Sequence, residues 1–319
     1  MQPLVAMDAT PRVVAVTASY RRMPELARLL ASLSTEQPLL AGVVVVDNAH
    51  EPSLDQVIAS AAVPTRVITL WENLGRGGGV AFGLREVFRE PGVTHAWICD
   101  DDSMAAPGAL ASMLQAMASE HAEAAVPLIA DAQGRLGWFP GPLPQPARDA
   151  IRRRGQTGGG FRSECGDTPL RWDWSPWTSL LVSRRAAKKV GLPREDFWFQ
   201  GEDFEWTLRI THRFSGVLVP SALCLHCPPT ASGDPVKHAA RERLKALAMI
   251  QNSVFTATRL PYGRRLLRHI PGNCFRFLRS QRDRRKAIED VFIALWFGAI
   301  RGLPAGKIGA DRWRREWEQ

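Results

Sequence analysis

Four short aliphatic runs, each followed by a stretch of helical spacing, constrain this chain more than any other feature. Val13-Val14-Ala15-Val16, Val43-Val44-Val45-Val46, Val67-Ile68-Thr69-Leu70 and Ala96-Trp97-Ile98-Cys99 have the length and β-branched content of buried strands. Between them Pro24 to Leu33, Leu54 to Ala61 and Gly79 to Phe88 read as helices, and another is expected after Pro107. Strands alternating with helices imply parallel strands joined by crossovers, a Rossmann-like, doubly wound half. Ligands of such sheets bind beyond the carboxyl ends of the strands, so the residues that follow each run matter most.

Behind the fourth run stand Asp100-Asp101-Asp102. Three adjacent carboxylates repel one another, and a cation among them would make physical sense of the cluster. If the strand pleat continues, Asp100 and Asp102 share one side and Asp101 faces the other. Two hard oxygen ligands with open positions suit Mg2+ or Mn2+ held against a diphosphate; a solvated acidic turn is the plain alternative. The other strand ends offer Thr17-Ala18-Ser19-Tyr20-Arg21, then Asp47-Asn48, then Glu72-Asn73-Leu74-Gly75-Arg76-Gly77-Gly78-Gly79. Glycines such as Gly75 and Gly78 ahead of a helix would let backbone N–H groups approach phosphate. The spacing is neither a Walker loop nor a GxGxxG after the first strand, so a flexible turn is the competing reading.

In the second half, residues 131 to 170 are rich in Gly, Pro and Arg and read as irregular, a candidate loop over the site. Arg171 to Ser183 then reads as a strand, Arg184 to Val190 as a helix, Asp203 to Phe214 as a helix and Gly216 to His226 as a strand. Gly201-Glu202-Asp203 is a second acidic cluster, and its charges suit a helix N-terminus. It follows Phe197-Trp198-Phe199, which could desolvate a carboxylate and raise its basicity, as a general base requires. His226, flanked by Cys224 and Cys227, lacks the further ligands of a zinc site; it reads as a core histidine or as the third member of a mixed Asp/His divalent site. Trp172 and Trp174 share one strand face with Trp177 just beyond. Indoles at this spacing are more often core, and two of the three are expected there, while Trp174 and Trp177 are the candidates for stacking on an acceptor sugar.

The formal charge of +9 is concentrated at one end: residues 262 to 319 hold 14 Lys/Arg against 6 Asp/Glu, a local excess of +8. From Val236 the pattern is helical, with breaks at Pro261, Pro271 and Gly302-Leu303-Pro304. Arg264, Arg265, Arg268, Arg276, Arg279, Arg282, Arg284, Arg285 and Lys286 precede the apolar stretch Ile288 to Ile300, a pairing suited to anionic headgroups or a lipid diphosphate. A helix packed on the body with its charges in water, or a homo-oligomer contact such as a homodimer, is the plainer reading of the same pattern. Five scattered cysteines argue against a disulfide framework and for a reducing compartment. With no signal-peptide pattern and no apolar run of about 20 residues, the protein is expected in the cytoplasm, soluble or peripheral at the inner face of the membrane.

Taken in order, VVAVTASYRR, VVVVDN, ENLGRGGGVAFGL, CDDDS, SLLVSRRAAKKVGLP, FWFQGEDFEWTLR and LCLHC resemble the family 2 glycosyltransferases of the GT-A fold, in the bacterial branch of rhamnosyl- and galactofuranosyl-transferases. The resemblance covers about residues 12 to 227. It implies an α/β fold: a Rossmann-like mixed sheet with flanking helices in a catalytic domain over 1–235, with a donor-binding half at 12–130 and an acceptor and catalytic half at 131–235. A basic, helical C-terminal region at 236–319 completes the expected organisation. The implied roles are residue by residue. Thr17, Ser19, Asp47 and Asn73 would hold base and ribose; Asp100 and Asp102 would be the DxD pair for metal and donor, with Asp101 nearer the ribose or sugar. His226 would complete the coordination of Mg2+ or Mn2+, and Asp203 would be the base, with Glu202 its neighbour or substitute. The implied reaction is inverting transfer from a UDP- or dTDP-sugar to a hydroxyl of a glycan or lipid-linked acceptor. The chain departs from the family pattern at Ala18, Tyr20 and Arg76, positions that bear on donor identity. A sugar-nucleotide pyrophosphorylase would place a glycine-rich loop with Arg or Lys directly after the first strand, where Thr17 to Arg22 holds no glycine. A nucleic-acid-binding protein using the arginine-rich end would leave both acidic clusters unexplained, so no nucleic-acid partner is expected.

Overall fold

The computed structural model describes residues 11–153, 155–228, 235–281 and 283–300. Its strands are β1 (Val13–Ser19), β2 (Leu40–Asp47), β3 (Thr65–Thr69), β4 (His95–Cys99), β5 (Ser103–Ala105), β6 (Ala124–Ala130), β7 (Leu136–Gly137), β8 (Leu170–Trp172), β9 (Ser179–Ser183) and β10 (Gly216–His226). Its α-helices are α1 (Met23–Ser34), α2 (Leu54–Ala59), α3 (Gly75–Arg89), α4 (Ala109–Ser119), α5 (Gln145–Arg152), α6 (Gly158–Cys165), α7 (Arg184–Val190), α8 (Glu202–Thr211), α9 (Pro235–Arg259), α10 (Ile270–Ser280) and α11 (Arg284–Leu295).

The pleat of the valine-rich strands sorts their side chains into two cores. Val14, Val16, Val44, Val46 and Ile98 meet Val80, Leu84 and Val87 of α3 on one face. Val13, Ala15, Val43, Val45 and Trp97 meet Leu26, Leu29, Leu30 and Leu33 of α1 on the other. Both faces are thus covered by helices, which is why these strands are apolar throughout instead of alternating. Helix α3 lies flush on the sheet because Gly83 has no side chain: a Cβ there would stand 2.5 Å from Val16 Cγ1.

All ten strands form one mixed sheet, ordered β3-β2-β1-β4-β9-β6-β10-β5, with β7 paired to β6 and β8 to β10. β3, β2, β1 and β4 run parallel, as the first-half pattern implied. β9 is antiparallel to both β4 and β6, so the later strand is inserted between two earlier ones and the two expected halves share one sheet. That mixed sheet with flanking helices and helices at the C-terminal end is the fold class the sequence implied.

Three local expectations are corrected. Residues 131 to 170 are not irregular: they contain β7, α5 and α6, and the glycines at 158–160 form the first turn of α6, where Thr157 Oγ1 accepts the Gly160 N–H. Arg171 to Ser183 is not one strand. β8 pairs with β10 and β9 with β4, and residues 173–178 leave the sheet between them. Pro271 does not break a helix; it sits in the first turn of α10, where its missing N–H costs nothing. The expected break at Pro261 does fall between α9 and the next helical turn, while Gly302-Leu303-Pro304 lies outside the described residues.

The C-terminal helices have a core of their own, in which Leu244, Leu247, Ile250 and Val254 of α9 meet Phe277, Ala287, Val291 and Ala294. An ion pair between half-buried Arg243 and buried Asp290 ties α9 to α11. Among the described residues, no helix is long and apolar enough to cross a membrane.

Candidate active site

A cleft of about 570 Å³ opens at the carboxyl ends of β1, β2 and β4, where an α/β sheet of this kind is expected to bind its ligand. Asp100, Asp101 and Asp102 line it, in a tight turn between β4 and β5 instead of on a continued strand. The Asp100 carbonyl accepts the Ser103 N–H and hydroxyl, and the Asp102 carbonyl accepts the Cys227 N–H at 2.8 Å. The antiparallel pairing of β10 with β5 sets His226 opposite Ser103, beside that turn. The result is a group of candidate ligand atoms from Asp100, Asp102 and His226 that all lie within 4.8 Å of one another. His226 Nε2 is 3.2 Å from Asp102 Oδ1, and its buried Nδ1 has no partner among the described residues. Two carboxylates and an imidazole converging this closely fit a Mg2+- or Mn2+-sized ion with open positions.

Asp101 also lines the cleft but has different partners, although the continued pleat from which this was expected is absent. Its carboxylate accepts the Ser19 hydroxyl at 3.1 Å and Arg22 Nη1 at 3.1 Å, and the same Arg22 nitrogen lies 2.6 Å from Asp102 Oδ2. Burial pushes the Asp101 carboxyl up to about 7 against the opposing pull of Arg22. Asp102 is held below the usual carboxylate range: burial acts to raise it, and the His226 hydrogen bond and charge together with Arg22 outweigh that.

Another part of the cleft wall comes from the second acidic cluster. The chain from Trp198 to Gly201 takes positive φ at Trp198, Gln200 and Gly201, and turns α8 so that Asp203 enters the cleft from the helix's first turn. The Asn252 side chain of α9 donates to the Phe199 and Gln200 carbonyls and fixes this turn. Burial pushes Asp203 up to about 7, with Arg76 pulling it down and Glu202 pushing it up. Trp198 and Phe199 of the aromatic run line the same cleft. Glu202 is wholly buried behind Arg76 and does not line the cleft, and one of its oxygens has no partner among the described residues. Glu205, the next acid, pairs with Arg209 and accepts the Tyr262 hydroxyl.

Other candidates divide. Asn73 and Gly75 line the cleft, and Gly75 is required there: its φ is +69°, and a Cβ would stand 2.2 Å from the Trp198 carbonyl oxygen. Gly78 belongs to the first turn of α3 and packs on Leu74, away from the cleft, because the glycine segment is helix and not loop. Thr17 is buried within β1, outside the lining residues, while Ala18 and Tyr20 face the cleft. Asp47 accepts the Ala49 and Glu51 N–H groups and so closes its own turn; its neighbour Asn48 is the residue exposed to the cleft. Trp174 lines the cleft with its ring edge against Phe204, whereas Trp177 is fully buried against Trp206 and cannot touch an acceptor. Two of the three indoles, Trp172 and Trp177, are core.

Sequence reasoning noted Arg76 only as a departure bearing on donor identity and missed Arg22 altogether. Arg76 Nε bonds Glu202 at 2.7 Å, Nη1 lies 3.2 Å from Asp100 and Nη2 3.1 Å from Asp203. It also missed Trp138, whose ring packs edge-on against His226 with centroids 4.5 Å apart, and Lys245 and Met249, which bring α9 into the cleft wall. Their signal is long-range: only the folded chain brings residues 22 and 76 to the turn at 100–102 and residue 138 to His226.

This architecture is that of GT-A glycosyltransferases. The solved structures it matches include S. aureus TarS 1-349 in complex with UDP-GlcNAc, at TM-score 0.57 and 14% identity over 94% of this chain and 83% of that one. Another is the mannosyltransferase PcManGT from Pyrobaculum calidifontis in complex with GDP-Man and Mn2+, at TM-score 0.55 and 15% identity over 97% and 83%. Residues 14–170 match glycosyl transferase family 2. Among curated proteins, the N-acetylglucosaminyl-diphospho-decaprenol L-rhamnosyltransferase of Mycobacterium tuberculosis is 30% identical over 266 residues, covering 73% of this chain and 81% of the relative. Galactofuranosyltransferase GlfT1 of the same organism is 27% identical over 221 residues, 68% of each chain. The chain belongs to glycosyl transferase family 2 and is a nucleotide-sugar glycosyltransferase. That membership sets aside the pyrophosphorylase reading.

Proposed function

We propose that this enzyme is a metal-dependent, inverting transferase that moves a rhamnosyl, galactofuranosyl or similar sugar from a nucleoside-diphosphate donor to a hydroxyl of a glycan or lipid-linked glycan. The observation that carries the reading is the meeting, in one cleft, of the Asp100–Asp102–His226 group and the desolvated Asp203. Asp100, Asp102 and His226 would hold the divalent ion, which when bound offsets charge on the departing diphosphate. Asp203 accepts the proton of the acceptor hydroxyl as that oxygen attacks the anomeric carbon from the face opposite the leaving group. A single displacement inverts the anomeric centre, with Asp203 and the ion group lining the same cleft. Asn48, Asn73 and Tyr20 stand where base and ribose would lie, and Trp174 and Phe204 offer the aromatic wall for the acceptor sugar. The names of the rhamnosyl- and galactofuranosyl-transferase relatives support the sugar class, and the Mn2+ and nucleotide sugars of the structural neighbours support the ion and donor class.

The C-terminal helices support contact with an anionic membrane surface. Ile288, Phe292, Trp296 and Ile300, four residues apart, are each about half exposed or more and form one outward stripe, with exposed Arg284, Arg285 and Lys286 beside it. Transfer assays with UDP-galactofuranose and dTDP-rhamnose on a lipid-linked acceptor, with the anomeric configuration of product read by NMR, test the reaction. Turnover of one donor with inversion supports it, and retention or metal-independent turnover overturns it.

A further inference from the structure

We propose that Arg76 is a positioning residue of the transfer reaction: its guanidinium holds the base-side carboxylates Glu202 and Asp203 against the ion-side carboxylate Asp100, and releases Asp100 when a divalent cation binds. The inference rests on the transferase reading above.

Five carboxylates crowd this cleft and its wall, and two arginines divide them. Arg22 takes Asp101 and Asp102, and Arg76 takes Asp100, Glu202 and Asp203. Arg76 meets its three partners through three different nitrogens, and those partners come from two elements that the sequence separates by a hundred residues. Its guanidinium carbon lies over the buried Trp177 ring, 5.4 Å from the centroid, a contact that helps fix its position. Glu202 is fully buried and Asp203 nearly so, and carboxylates so placed need a cation beside them or they turn away from the site. A planar fork with fixed donor directions can satisfy three carboxylates together, and a lysine ammonium on a flexible stem cannot set their mutual geometry. Burial acts against the charge on Arg76, and Asp100, Glu202 and Asp203 outweigh it, so the guanidinium stays charged.

Asp100 is the one carboxylate shared between Arg76 and the candidate ion group. A bound divalent cation therefore competes with Arg76 for Asp100, and the guanidinium is left to aim Glu202 and Asp203. Removing Arg76 removes a competing positive charge from the ion site and at the same time loosens the base.

The test is Mn2+ titration by calorimetry and steady-state transfer for the wild type, Arg76→Ala and Arg76→Lys. Expected for Arg76→Ala are Mn2+ binding tightened about twofold or more, kcat lowered about 100-fold with donor KM within about threefold, and partial recovery of kcat by methylguanidinium. Weakened or lost Mn2+ binding in a folded Arg76→Ala protein, or kcat within about threefold of wild type, overturns the proposal. If Arg76→Ala does not fold, Arg76→Lys decides: Mn2+ binding kept with kcat about tenfold down supports it, and unchanged kcat overturns it. A wild type that turns over no donor refutes the transferase reading, and the Mn2+ isotherms then still report whether Arg76 competes for Asp100.

Discussion

Asp203 sits where its proton affinity is most useful to a base. With burial pushing its pKa up to about 7, the group is half protonated near neutrality and active only when ionised. The account predicts that kcat/KM falls as pH drops through about 7, and that Asp203→Asn loses about 1,000-fold in kcat while keeping nucleotide binding. A pH-rate profile of the wild type, flat from 5 to 8, would contradict it. The same shift has a stability sign. A carboxyl whose folded pKa lies above its unfolded value stabilises the fold below the unfolded pKa, and that contribution disappears as pH rises through the folded one. Thermal unfolding of Asp203→Asn should therefore show a smaller loss of Tm between pH 5 and 8 than wild type. At this scale the grouping of Asp100, Asp102 and His226 was legible because polar residues clustered at strand ends are a local signal. Thr17, Asp47 and Gly78 were not, because whether such a side chain faces the ligand, its own turn or a neighbouring helix is decided by packing.

The loop before α8 is the element on which the site depends. Gly75 presses on the Trp198 carbonyl from one side, and Asn252 holds the Phe199 and Gln200 carbonyls from the other. Asn252→Ala should cost about 1–3 kcal/mol in stability and lower kcat about tenfold, since buried carbonyls lose their donor and Asp203 loses its anchor. Chemical denaturation alongside kinetics checks both, and an unchanged kcat would show the loop to be held by other contacts. Gly75→Ala should be worse, because strain at positive φ adds to the clash. The strands and helices of the first half were legible because their apolar periods are long and clean. α5 and α6 were hidden by glycine, proline and arginine in helices of eight residues. The division of Arg171 to Ser183 was hidden because strand partners far along the chain decide where a strand ends, and Trp174 leaves the sheet to reach the cleft.

Across the whole molecule, the C-terminal helices are part of the catalytic body and also its most apolar exposed face. α9 supplies Asn252, Lys245 and Met249 to the site, while α11 turns Ile288, Phe292 and Trp296 outward. Phe292→Ser with Trp296→Ser should weaken binding to vesicles containing anionic lipid about tenfold or more and leave Tm within a few degrees. Equal vesicle binding by both proteins would exclude that face as the contact. The sequence placed charge and apolar residues at this end correctly, but could not show that α9 faces inward, since that requires the position of the loop at 197–201.

The central claim is that Asp100, Asp102 and His226 form an ion-dependent nucleotide site, and calorimetric titration of UDP and dTDP tests it most directly. Titrations with and without Mn2+ into the wild type and Asp102→Ala should show one nucleotide binding only with Mn2+, and no such binding in the variant. Equal nucleotide binding in the presence of EDTA, or Mn2+-dependent binding that survives in Asp102→Ala, would contradict the account.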